Sequence, residues 1–161
     1  DRKIAAIFRK HPDRLIFESF PGAGAALAPR LTAAFGTDRD RFQAAKEMQE
    51  LAGIAPVTEK SGKKSFVHWR YACPKFMRQT FQEFADHSRR WCKWAKAHYE
   101  LLRKRGKSHN AAVRALAYKW IRILFRCWKD RQPYQDEVYT KSLFKHGSPL
   151  AKLLAESVEN S

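Results

Sequence analysis

From Met77 to Leu102 the chain spaces eight side chains in alternating steps of four and three: Met77, Phe81, Phe84, Ser88, Trp91, Ala95, His98 and Leu102. That spacing is a helical period and not a strand period, in which one face repeats at every second residue. It predicts a single helix from Pro74 to about Arg103 with a heptad seam along one side. On a helical wheel Lys75, Arg78, Arg89, Lys93, Lys96 and Arg103 fall away from the seam. The helix therefore turns an apolar stripe to a partner and a cationic stripe outward. Gly106 stands where a C-cap is needed, and Ser108 where the next helix needs an N-cap. That helix is predicted from about Asn110 to Lys129. Ala112, Val113, Leu116, Trp120, Ile123, Leu124, Cys127 and Trp128 take most of its circumference, and Lys119, Arg122, Arg126 and Lys129 the remainder. A short loop between two long helices implies an antiparallel hairpin. The seam leaves a second use open, which is pairing between chains into a homo-oligomer. Trp91 lies in the seam and is assigned to the core, and Trp94 and Trp69 are the better candidates for outward stacking on bases.

Charge says what the hairpin is for. The 161 residues carry 32 Lys+Arg and 16 Asp+Glu, a net charge of +16. Residues 60–131 hold 20 basic and 4 acidic residues, so the whole excess lies in that one stretch. A surface chosen only for solubility would mix its signs. A polyanion fits better, with nucleic acid ahead of a membrane, because no exposed amphipathic segment is spare. At 44% apolar residues the chain can bury a real core and is not a disordered tail. Three cysteines without a Cys-x-x-Cys pair argue against a disulfide framework and a zinc knuckle, and suit a reducing cytoplasm. His87 and His98 have no metal-like spacing with a cysteine, and no carboxylate pair reads as a two-metal site. No metal site and no cofactor is predicted in this chain.

The first sixty residues read as short helices. Residues 1–12 look like the end of a helix trailing from something upstream, and the opening Asp-Arg-Lys without Met suggests a fragment. Asp13 is placed to cap a helix through Phe20. Pro21-Gly22-Ala23-Gly24 follows, then a helix from about Ala25 to Phe35 that stops at Gly36. Helix, Pro-Gly-x-Gly turn and helix is the pattern of a helix-hairpin-helix. Its glycines, Gly22 and Gly24, would let the backbone approach a phosphate, facing the free N–H groups of the second helix. Arg30 is the nearest cation. Thr37 to Arg41 reads as polar loop, Phe42 to Ala52 as a helix, and Gly53 to Lys64 as loop. Ser65 to Tyr71 alternates weakly, as a short strand or the lead-in to a helix. A short last helix runs from Tyr134 to Phe144, and residues 148–161 are expected to fray. The fold class is thus all-α: a helix-hairpin-helix unit, a long antiparallel helical hairpin and a short C-terminal helix, with residues 13–147 as the domain.

One loop carries a candidate nucleophile. Ser61 stands beside Gly62 among Lys60, Lys63 and Lys64. A Ser-Gly pair in a loop is ordinarily just a turn. Three lysines would hold a phosphate beside the hydroxyl and ease its attack. With Arg70, Arg78, Arg89, Lys93, Lys96, Arg122 and Arg126, these lysines make the candidate DNA- or RNA-binding set. The alternative is a non-catalytic binding module in which Ser61 is dispensable.

Phe20-Pro21-Gly22-Ala23-Gly24, Arg41-Phe42, Leu51-Ala52-Gly53-Ile54-Ala55-Pro56 and Ser61-Gly62, in that order, resemble the C-terminal domain of the DEDD-type insertion-sequence transposases. The run Arg105-Gly106-Lys107-Ser108-His109, then Ala117-Tyr118-Lys119, Ile123-Leu124 and Tyr134, resembles that family's closing helical hairpin. The resemblance covers about residues 14–140. It implies a DNA transposase or recombinase whose preceding RuvC-like domain binds magnesium through four acidic residues. It implies Ser61 as the residue that attacks DNA, with Thr58, Lys60 and Lys63 in support, and a structured guide (bridge) RNA as a further partner. Without the acidic domain the chain alone is expected to be inactive. After Ser61-Gly62 this chain departs from the family's Gly-Asn turn and reads Phe66-Val67-His68-Trp69-Arg70.

Overall fold

The computed structural model describes residues 1–68 and 73–159. Helices dominate it: α1 Arg2–Arg9, α2 Arg14–Glu18, α3 Gly24–Phe35, α4 Ala45–Leu51, α5 Lys75–Ser88, α6 Lys93–Lys104, α7 His109–Asp130, α8 Asp136–Lys145 and α9 Pro149–Glu159. A 3-10 turn, Arg39–Arg41, links α3 to α4. The one sheet among the described residues is a two-stranded hairpin, β1 Val57–Ser61 and β2 Lys64–His68.

The axis of the fold is α7. Ser108 caps it, its side chain accepting from Ala111 N–H at 3.2 Å. Ala112, Val113, Leu116, Ala117, Trp120, Ile121, Leu124 and Trp128 are buried along it. Helices α4, α5 and α6 pack on it, α3 packs on α5, and α9 closes over α6. Trp120 lies fully buried, its ring centroid 4.5 Å from that of Trp94, 5.2 Å from Phe84 and 5.4 Å from Tyr134. Its indole N–H donates to Ser88 Oγ at 2.8 Å, so this fully buried aromatic leaves no polar atom unpaired. Trp128 does the same toward the Gly36 carbonyl at 2.8 Å.

The long seam helix is broken in two. Met77, Phe81, Phe84 and Ser88 are buried in register as the four-three spacing requires. Then the chain turns a corner: Arg90 N–H bonds His87 O, Trp91 N–H bonds Ser88 O, and Cys92 is extended (φ −127°, ψ 117°) as the residue before α6. The corner resets the helical phase. Trp94, 1% exposed, enters the core, where its N–H donates to Tyr134 Oη at 2.9 Å. Trp91, 72% exposed, leaves it. The assignment of the two tryptophans is therefore reversed. A continuous seam would bury Trp91 and strand Trp94, whereas the corner gives Trp94 two aromatic neighbours, Trp120 and Tyr139, and a hydrogen-bond partner. Because Met77 to Ser88 is buried within the chain, this half of the seam is satisfied without a second copy.

Other expectations change as well. Gly53 to Lys64 is not all loop, since β1 occupies its second half. The predicted frayed tail is helix α9, with Leu150, Ala151 and Leu154 buried. Asp13 precedes α2 but does not cap it. Its carboxylate instead accepts a fork from Arg39, Nη1 to Oδ2 at 2.7 Å and Nη2 to Oδ1 at 2.6 Å, while Arg39 Nε donates to the Trp128 carbonyl at 2.9 Å.

Candidate nucleic-acid interface

The hairpin places Ser61 at an exposed tip. Ser61 pairs with Lys64 at the end of the ladder, and Gly62-Lys63 is the two-residue loop. Gly62 has φ 58°, the positive value that a tight hairpin turn matching strand twist requires at its first position. Lys60, Ser61, Lys63 and Lys64 are all exposed. So are Phe66 and Val67, which point to opposite faces of β2. Arg70 and Trp69 lie outside the described residues, as does the side chain of Thr58.

The two turn glycines behave differently. Gly22 (φ 82°) is pressed against the end of α5: a Cβ there would stand 3.1 Å from Trp91 Cδ1 and 3.2 Å from the His87 backbone. The Cβ side of Gly22 is thus taken up by close approach to protein. Gly24 (φ 55°) has nothing within 4 Å of such a Cβ. Gly24, Ala25 and Ala26 are exposed, and no side chain caps α3. Arg30 is engaged with Glu83 and lies over the Phe76 ring, so it is committed away from the turn. Glu83 is accordingly held below the usual carboxylate range by its hydrogen bond from Arg30.

The basic helices sort into free and engaged cations. Lys93 and Lys96 are exposed on α6, Lys96 only 4.0 Å from Glu100. Arg89 is half-buried, bonded to Asp86 and stacked 3.9 Å from the Tyr99 ring centroid. Arg78 is half-buried on α5. Arg122 and Arg126 are exposed on α7 and share a groove of about 900 Å³ between α7 and α8. Lys119, Lys141, Lys145 and His146 also line it. Among its described lining residues Asp130 is the one acid, and it stands 3.8 Å from Arg126. Lys119 is partly buried, and that burial, with Arg122 beside it, holds its ammonium below the usual lysine value. The sequence reading omitted Lys141 and Lys145 because residues 132–161 are acidic on balance. Their four-residue spacing was the available signal, since it puts both on one face of α8.

Nothing in the described residues forms a metal centre: no three His, Cys, Asp or Glu side chains gather. The three cysteines are free thiols. Burial pushes the Cys92 thiol up to about 12 and Cys127 to about 11, so neither is a nucleophile near neutral pH. No helix among the described residues is long and apolar enough to cross a membrane.

The chain is similar to known proteins of insertion elements. The family described as Transposase IS116/IS110/IS902 matches residues 14–100. A protein named as the transposase candidate for the mini-circle IS117 of Streptomyces coelicolor is 35% identical over 136 residues, which is 84% of this chain and 33% of that protein. The 42 kDa protein of insertion element IS900 from Mycobacterium paratuberculosis is 31% identical over 142 residues, 87% of this chain and 35% of its own length. The 43.6 kDa protein of insertion element IS110, also from Streptomyces coelicolor, is 29% identical, over 86% of this chain and 34% of its own. The chain thus spans about a third of the length of the curated relatives it matches.

Proposed function

The chain belongs to the IS116/IS110/IS902 family of transposases, and on that premise we propose that it is the part of a transposase that grips nucleic acid and presents Ser61 as the nucleophile. The observation that carries this reading is the hairpin tip, where an exposed serine stands among Lys60, Lys63 and Lys64. The lysines offset the charge that builds on a phosphate under attack. Ser61 Oγ forms a bond to the scissile phosphorus, and the bond from phosphorus to the displaced strand breaks, leaving a hydroxyl end. The Oγ proton passes, by way of a carboxylate on the acidic RuvC-like domain that the family resemblance implies, to the departing oxygen, which leaves as that hydroxyl. Helices α2 and α3 serve as the helix-hairpin-helix, with phosphate approaching at Gly24 and not at Gly22. The exposed cations of α6, α7 and α8 hold the strand, and a structured guide RNA would use the same contacts, since phosphate grips carry no sequence information.

A covalent adduct tests the assignment. The full-length protein is incubated with donor and target DNA and denatured, and the DNA-linked peptide is sequenced by mass spectrometry. The expected linkage is at Ser61, and a linkage on any other residue overturns the reading.

A purely binding role is the second reading, favoured by the α7–α8 groove, whose cations are assembled without Ser61. Binding has its own signature. Neutralising Lys93 and Lys96 to glutamine is expected to flatten the slope of log affinity against log salt by about two, near 0.9 per lost phosphate contact. Fluorescence anisotropy at several salt concentrations measures it, and an unchanged slope makes α6 a merely solvated face.

A further inference from the structure

Among the described residues no large apolar side chain is more exposed than Trp91, at 72%. Trp94, Trp120 and Trp128 are by contrast fully buried. The corner at residues 89–92 explains why position 91 faces outward, since it gives the core to Trp94. It does not explain why a tryptophan stands there, because a polar side chain suits an exposed position better. A tryptophan held in the open is characteristic of a surface that meets a partner. The ring is also held at one edge. The closeness of Trp91 Cδ1 to Gly22 seats the pyrrole edge of the indole against the Pro21-Gly22 turn, where the missing side chain makes room for it. Most of the ring stays in solvent, and a ring fixed before binding loses less entropy when a partner stacks on it.

Charge selects the partner. Arg90 and Lys93 are exposed on either side of Trp91 in the chain, and His87 and Lys96 are exposed on the adjoining turns of α5 and α6. Asp86 and Asp136 touch the corner, and both are bonded within the protein, Asp86 to Arg89 and Asp136 to the Tyr134 hydroxyl at 2.8 Å. The centre of a protein-binding patch is depleted in lysine and in charge generally. A flat ring among cations instead matches a base joined to its phosphates, the kind of platform on which single strands stack. Inside a duplex each base face is covered by its neighbours, so the indole requires a base that has left its pair.

We propose that Trp91 is a stacking platform for one unpaired base of the bound nucleic acid, with the flanking phosphates on Arg90 and Lys93. The proposal rests on the nucleic-acid reading above and names a substrate feature that reading lacks, a base open to the protein beside the Pro21-Gly22 turn. Gly22 acquires a role in it, since a side chain there would push the ring from its seat.

The test compares the full-length protein with its Trp91→Ala and Trp91→Phe variants by fluorescence anisotropy at several salt concentrations. The probes are an oligothymidylate of about eight nucleotides and an abasic strand of the same length, which keeps the phosphates and lacks the bases. Trp91→Ala is expected to weaken the oligothymidylate about tenfold and to leave the abasic strand within about twofold. Trp91→Phe keeps a ring and is expected to retain most of the affinity. The slope of log affinity against log salt should be the same in all three proteins, because stacking releases no counterions. Equal losses on the two strands overturn the proposal, as does an alanine variant that binds the oligothymidylate as the wild type does, or a phenylalanine variant as weak as the alanine one. A wild-type slope near zero overturns the nucleic-acid reading and this proposal with it, whereas a steep slope with no effect of Trp91→Ala overturns this proposal alone.

Discussion

Ser61→Ala in the full-length protein is expected to lower strand transfer by a factor on the order of 10³–10⁶, the range seen when a covalent nucleophile is removed. Affinity for DNA should stay within about twofold, because the proposed phosphate grip would lie in the lysines and in α6 to α8. The variant is structurally mild. Ser61 is exposed, and its pairing with Lys64 is made by the backbone, which alanine keeps. Strand transfer in the purified variant and anisotropy on the same substrate measure the two quantities together. Transfer at the wild-type rate with intact binding moves the nucleophile elsewhere. Loss of both would make Ser61 part of the grip instead.

Arg39→Ala is expected to cost about 3–5 kcal/mol, the penalty for stranding the partner of a buried ion pair. Asp13 is 1% exposed, and Arg39 holds both its carboxylate oxygens. The same guanidinium bonds the Trp128 carbonyl at 2.9 Å and lies 5.0 Å from the Trp128 ring centroid. The change therefore loosens the start of α2 and the end of α7 at once. Against a typical domain stability of ~5–15 kcal/mol this is a large fraction, readable as a fall in the urea midpoint. Replacing both partners, Asp13→Leu with Arg39→Met, should recover most of the loss. The pH dependence carries a sign. Arg39 holds the Asp13 carboxyl below its ordinary value, chiefly by hydrogen bonding. A depressed carboxyl contributes its stability above the unfolded value of ~3.9 and loses it as pH falls through the folded value. The gap between wild type and Arg39→Ala should accordingly narrow below about pH 4. A gap that stays constant to pH 2 would show that the pair is not the source of the loss.

Much of the helical content was legible because periodicity is a local property. The buried face from Met77 to Ser88 follows the four-three spacing, and the Ser108 cap and the length of α7 follow from the residues at its ends. The β-hairpin was only half legible, since β2 falls on the weak alternation that begins at Ser65, while β1 was read as loop. Val57–Ser61 is short and mostly polar, and nothing in its own composition distinguishes a ladder from a loop except the glycine that follows at position 62. The tail was misjudged for a similar reason. Three apolar residues, Leu150, Ala151 and Leu154, look too few to hold a helix until α6 and α8 are there to receive it.

The site divides along the same line. Where the charge lies along the chain, that Ser61 has lysines on both sides, and that α6 and α7 each carry cations are facts of order and spacing, and no folding is needed to know them. Which of those cations are free is a tertiary matter. Arg89 and Arg30 are spent on Asp86 and Glu83, while Lys141 and Lys145 join Lys119 and Arg122 across a groove. The exchange of Trp91 for Trp94 is of the same kind. A helical wheel assumes one unbroken phase, and the corner at residues 89–92 exists because Trp94 then reaches Trp120 and the Tyr134 hydroxyl. Partners 26 and 40 residues away decide that, through burial and hydrogen bonding that no local pattern records.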